Sequence, residues 1–213
     1  MTTATKGYTI GIYIMAFLAI IISLYPIAFA FIPGADGLFK SKPTAVLESD
    51  FYLSLFYIHT SFGGLALFCG STQFFKKLRQ RRLSWHRLLG KIYVVSVLIS
   101  GLSAFYISFY ATGGVISMLG FSSMAVLWLF TTYKAYTAIR KRNIDSHQRW
   151  MIRSYALCFA AVTLRIYLGI SAGAGIAFMT IYPIIAWLSW VPNVFFAEYL
   201  IKRLPLEENR SRK

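Results

Sequence analysis

Carboxylates are scarce: only seven Asp and Glu occur in 213 residues, and all charged residues together make up 14% of the chain, against roughly a quarter in a typical soluble domain. So few acids argue against a carboxylate-held metal site or a paired acid–base centre, and only Asp145 and Glu198 fall near the basic loops described below. The low charge excludes a disordered chain and argues against a soluble one. Two cysteines, Cys69 and Cys158, lie in apolar stretches without paired spacing, which excludes a disulfide framework and a thiolate zinc site and sets no redox compartment. A Gly-rich phosphate loop, a His-Glu-x-x-His segment and a nucleophile elbow are all missing. No low-complexity segment or separate soluble domain interrupts the chain.

Apolar residues make up 57% of the chain and aromatic residues 17%. A hydrocarbon core of about 30 Å needs about 20 apolar residues per helix, and six uncharged runs satisfy this, at about 10–32, 51–75, 92–111, 115–133, 154–170 and 176–197. The Ser171–Gly175 stretch reads as the turn between the last two. The expected fold is all-α, a single transmembrane domain over 1–213 forming a six-span helix bundle, with a mobile tail at 204–213. The first run admits a second reading as a signal peptide, with Ala28-Phe29-Ala30 as its cleavage site. Its apolar stretch exceeds the usual 7–15-residue signal core, which favours a span.

The 22 Lys and Arg give a net charge of +15. In a soluble protein this would suggest nucleic acid. Here the basic residues are divided among short loops and a tail, which argues against a nucleic-acid partner and points to membrane orientation instead. Lys76, Lys77, Arg79, Arg81, Arg82, Arg87 and Lys91 follow the second run; Lys134, Arg140, Lys141, Arg142, Arg149 and Arg153 follow the fourth; five more lie in the tail. With Lys6, nineteen basic residues then lie on one side, against Lys40 and Lys42 on the other. Both termini are expected on the cytoplasmic side, facing anionic lipid.

Two of these loops enter their helices alike. Ser84-Trp-His86-Arg87 continues to Lys91, and Ser146-His147-Gln-Arg149 continues to Arg153, with 62 residues between copies. Serine favours the N-cap, so Ser84 and Ser146, or Asp145, are expected to begin helices. Basic residues in first turns oppose the helix dipole unless an anion is present. His86, Arg87, Lys91, His147, Arg149 and Arg153 therefore form a candidate site for a lipid phosphate or a soluble anionic ligand. The plainer reading is that they are positive-inside anchors, with Trp85 and Trp150 as interfacial aromatics.

Arg165 is a charge within the fifth run, roughly 8–10 Å below its outer end, and His59 enters the second run to a similar depth. An intramembrane charge is functional by default. A second polar site, or a carrier or channel path, would join His59 and Arg165 with Tyr57, Thr60, Tyr106 and Tyr167 as neighbours. The plainer readings are a histidine bonded between helices and an arginine that snorkels outward. Arg165 and His147 are 18 residues apart, which places them on one helix side about 27 Å apart. The small residues Ala161, Cys158 and Ser154 lie between, read either as a close helix contact or as a path lining. Gly63, Ala66, Gly70 and Gln73 repeat that pattern below His59. A third functional class is a mono-haem b-type protein with His86 and His147 as axial ligands. His59 has no second histidine at its level, which excludes a two-haem arrangement across the membrane.

The elements His59-Thr-Ser-Phe-Gly-Gly-Leu-Ala-Leu, Trp85-His86-Arg87-Leu-Leu-Gly-Lys-Ile-Tyr and His147-Gln-Arg-Trp-Met-Ile-Arg-Ser-Tyr-Ala-Leu together resemble the bacterial membrane family named domain of unknown function 2306. The resemblance covers about half the chain. It implies multiple spans, these His and Arg positions and a bacterial inner-membrane location, and it carries over no biochemical activity. A looser likeness links the chain to ascorbate-linked transmembrane b-type cytochromes, from which it departs by having no histidine in the fourth span.

Overall fold

The computed structural model describes residues 3–27 and 39–203. Every regular element among them is helical, and six helices are long and apolar enough to cross a membrane. The Ala28–Ala30 site and the 204–213 tail lie outside the described residues. The chain divides into two units, residues 1–112 and 113–213.

In the first unit, α1 (Thr3–Ser23) is followed by a 3₁₀ turn (Phe39–Ser41) and a one-turn helix α2 (Thr44–Leu47). Then come α3 (Asp50–Thr72), the short basic α4 (Lys76–Arg81) and α5 (Leu83–Ser108). Helix α3 packs on both α1 and α5. Small residues set these contacts, since lipid gives helices no hydrophobic reason to associate and close backbone approach must supply the attraction. Ala16 and Ala19 of α1 are buried, as are Ala66 and Gly70 of α3 and Ser96, Ser100 and Ser103 of α5. Gly64 is the tightest point: a Cβ there would stand 2.8 Å from the Ser23 carbonyl oxygen.

In the second unit, α6 (Gly114–Arg140) packs on α7 (Ile144–Cys158) and on α9 (Phe178–Leu188), while α10 (Val191–Lys202) lies along α7 and α8 (Ala160–Gly173) along α9. The fifth span is thus α7 plus α8 and the sixth α9 plus α10. Gly113 (φ +92°) opens α6 in the left-handed region, and a Cβ there would also meet Ser117 Oγ and Pro183. At Gly120 a Cβ would press on Ala186 and on the Trp187 indole, whose Nε1 donates to Ile116 O at 3.1 Å.

Helix ends differ from the sequence reading, because helices continue beyond the hydrocarbon-length apolar runs. The third begins at Leu83 rather than about 92, the fourth ends at Arg140 rather than about 133, and the fifth begins at Ile144 rather than about 154. The caps differ as well. Asn143, not Ser146 or Asp145, caps α7, its side chain accepting from the Ser146 amide at 2.9 Å. Arg82 precedes α5 with no side-chain cap, and Ser84 lies inside the first turn. Asparagine and serine are equivalent caps, so the local chain path decides between them.

Gly64→Val is expected to destabilise the protein by about 1–3 kcal/mol, the usual cost of forcing atoms against backbone that cannot retreat. Gly169→Ala, where no atom lies within 4 Å of the new Cβ, is expected to leave the unfolding temperature unchanged or raised. Thermal unfolding in detergent checks both.

Candidate functional site

The sequence-predicted residues fall into the two units: His59, His86, Arg87 and Lys91 in the first, and His147, Arg149, Arg153 and Arg165 in the second. In the second unit the carboxylates and the arginines of α7 find each other. Arg149 Nε donates to Asp145 at 2.7 Å, one turn earlier, and Nη1 reaches Ile201 O at 3.4 Å. Arg153 binds Glu198 of α10 through both Nε (2.6 Å) and Nη2 (2.9 Å), with its guanidinium 4.6 Å from the Trp150 ring centroid. Asp145 also stands in the first turn of α7, where a negative charge complements the helix dipole. The conflict between basic residues and a helix start is therefore relieved inside this unit.

His147 Nδ1–H donates to Ala135 O of α6 at 2.9 Å. A carbonyl only accepts, so this bond fixes the tautomer and leaves Nε2 with its lone pair. Ser154 Oγ meets Thr132 Oγ1 at 2.6 Å and both residues are buried, as is Cys158. This part of the small-residue face is a helix contact between α6 and α7.

Arg165 does not run outward. Its Nη1 donates to Ala161 O at 2.7 Å, one turn toward the start of α8. Near that start a further polar group gathers, one that spacing alone did not reveal. Asn193 Nδ2 lies within hydrogen-bond distance of Ala156 O (3.2 Å), Thr163 Oγ1 (3.1 Å) and Ser189 O (3.0 Å), and Thr163 Oγ1 also donates to Ser189 O. Pro192, one residue before Asn193, was the available signal, since a proline inside an apolar run interrupts the helix and frees carbonyls.

In the first unit, His59 is bonded between helices α3 and α5. Nδ1 lies 3.1 Å from Ser100 O and 2.9 Å from Ser100 Oγ, while Ser100 Oγ donates to His59 O at 2.9 Å. Ser100 was missed because nothing in its own spacing marks it. Gly63, one turn after His59, leaves it room: a Cβ there would stand 3.2 Å from Ser100 Oγ. Of the aromatic and hydroxyl neighbours expected, Thr60 bonds its own helix at Tyr57 O and Tyr106 pairs with Tyr110.

The basic segment of this unit has a different setting. Arg79 Nη1 donates to Gln73 O at 3.2 Å, which ties α4 to the end of α3. Between Asp50 and Asp145 the sequence contains no Asp or Glu. The described acids of this unit, Glu48 and Asp50, lie at the opposite end of α3, which at 1.5 Å per residue is about 33 Å from Thr72.

A family model described as "Predicted membrane protein (DUF2306)" matches residues 56–201. The chain belongs to this family. The match takes in the spans from the second to the sixth and all eight of the candidate residues. Comparison with curated proteins and with solved structures returned no match. Among the described residues, no group of three His, Cys, Asp or Glu side chains is placed to hold a metal ion.

Outside the spans, Lys42 donates to Tyr110 O, with its amine 5.9 Å from the Tyr52 ring centroid. Burial lowers its pKa from 10.5 to about 8. The unfolded chain then binds the extra proton between about pH 8 and 10.5, so stability contributed by this group is absent below that window and gained as pH rises through it. Thermal unfolding is expected to shift upward from pH 8 to 10 in the native protein, and less so in Lys42→Met.

Proposed function

We propose that this membrane protein binds an anionic ligand, foremost a lipid headgroup, through basic residues at its cytoplasmic face, with His86, Arg87 and Lys91 as the principal contacts. Both termini and the basic loops face the cytoplasm of a bacterial inner membrane in this reading, as the distribution of Lys and Arg favours. The observation that carries it is the inequality between the two basic helix starts. Arg149 and Arg153 hold Asp145 and Glu198, whereas the segment Lys76–Lys91 sits in a carboxylate-free stretch of 94 residues, 51–144. Seven positive charges there need counterions from outside their unit, and the phosphates of an anionic leaflet supply them at about 1 kcal/mol per basic residue. His147, Arg149 and Arg153 play the secondary part, being already engaged with carboxylate or carbonyl groups.

Arg87→Ala with Lys91→Ala is expected to lower the number of phosphatidylglycerol molecules retained by the purified protein in native mass spectrometry, while Arg149→Ala has a smaller effect. Unchanged retention in the double variant would remove the reading.

One observation favours the redox alternative, a mono-haem protein with His86 and His147 as axial ligands. A metal-ligating histidine characteristically donates its other ring nitrogen to a carbonyl or carboxylate, and His147 does so toward Ala135 O. A reduced-minus-oxidised spectrum of the protein purified from haem-replete cells is the decisive measurement. Absence of a haem absorbance band eliminates this alternative.

A further inference from the structure

The fifth and sixth spans are each interrupted once. The fifth is divided at Phe159 into helices of 15 and 14 residues, and the sixth at Ser189–Trp190 into helices of 11 and 12. Both interruptions therefore fall midway along their spans, and side chains join them. In hydrocarbon every freed backbone group needs a partner, and the carbonyls here have one: Ala156 O and Ser189 O accept from Asn193, and Ser189 O and Phe159 O from Thr163. The acceptors are served, and the donors at the same level are in surplus. Ser189 is 0% exposed and Trp190 7% exposed, yet neither Ser189 Oγ nor Trp190 Nε1 has a hydrogen-bond partner. An indole N–H can only donate. Arg165, which also only donates, is folded back toward this level through Ala161 O. Helices α8 and α10 both begin here, bringing the positive ends of two dipoles. The two carboxylates described in this unit are occupied by Arg149 and Arg153.

We propose that the double interruption of spans five and six is an intramembrane binding site for a small monovalent anion, a halide or a short carboxylate, held by Arg165, Ser189 and Trp190. Paired interrupted helices are where membrane proteins place small-solute sites near the bilayer midplane. The surplus of donors selects an anion over a cation. Asn193 and Thr163 act as positioning residues, holding the four helix ends at one level by satisfying their carbonyls.

The test uses the full-length protein in detergent, titrated with sodium chloride and with sodium formate, and follows the unfolding temperature. Saturable stabilisation by either anion is expected in the native protein. Arg165→Gln and Trp190→Phe, the latter keeping a buried ring while removing the N–H, are expected to raise the apparent dissociation constant roughly tenfold or more, as loss of a charge-assisted or buried hydrogen bond does. Arg165→Lys is expected to retain part of the effect. If Arg165→Gln fails to fold, Trp190→Phe carries the comparison. No saturable effect in the native protein would overturn the proposal and leave the donors to buried water alone. An effect undiminished in Arg165→Gln and Trp190→Phe but lost in Arg87→Ala with Lys91→Ala would also overturn it, because the anion would then act at the basic segment.

Discussion

The requirement that no backbone polar group be left unsatisfied in hydrocarbon governs this structure more than any side-chain interaction. It makes every described regular element a helix, and it determines what happens where a helix fails. Pro192 has no amide hydrogen and would crowd a carbonyl one turn earlier, so the sixth span ends one helix and begins another. The carbonyl exposed at Ser189 is not left bare: Thr163 and Asn193 both donate to it. The fifth span breaks opposite, and Asn193 also serves Ala156 O there. One asparagine thus repairs two helices.

Electrostatics follows a second scarcity. With 22 basic residues and seven acidic ones, most positive charges find no internal partner, and where the few carboxylates fall separates the structural cations from those left for lipid. Asp145 and Glu198 fall within reach of Arg149 and Arg153. The Glu198 pair is bidentate and also stacked on Trp150, a geometry well suited to a guanidinium and poorly to an ammonium. Because Glu198 is on α10 and Arg153 on α7, this pair ties the fifth span to the sixth at their basic ends. The charges of Lys76–Lys91 have no such role within their unit.

Much of this was legible in the sequence, for reasons that can be named. Six uncharged runs gave six membrane-length helices, since length and hydropathy are all that spanning demands. The ends were misplaced because a helix does not stop where hydrocarbon stops, and Asn143 took the cap that Ser146 offered equally well. The interruption at Pro192 had a visible cause, whereas the one at Phe159 had none, since no proline or glycine lies beside it. His59 was rightly singled out and its partner missed. Ser100 is 41 residues away, and helical spacing relates residues within one helix while saying nothing of which residue on another helix stands opposite.

The course of Arg165 bears on how depth should be judged. Counting residues from the outer end of the fifth span places its Cα roughly 8–10 Å below the surface, within reach of outward snorkelling. A side chain on a helix, however, leans toward the helix N-terminus, and α8 begins at the interruption rather than at the outer face. Its natural lean therefore takes the guanidinium inward, where Ala161 O receives it. Snorkelling would require the opposite lean, toward the C-terminal end at Gly173. An arginine near the far end of an outward-running helix is thus biased toward the interior, and the same residue on an inward-running helix would be biased toward the outer surface. The direction of the chain, as much as the depth of the residue, decides where an intramembrane charge comes to rest.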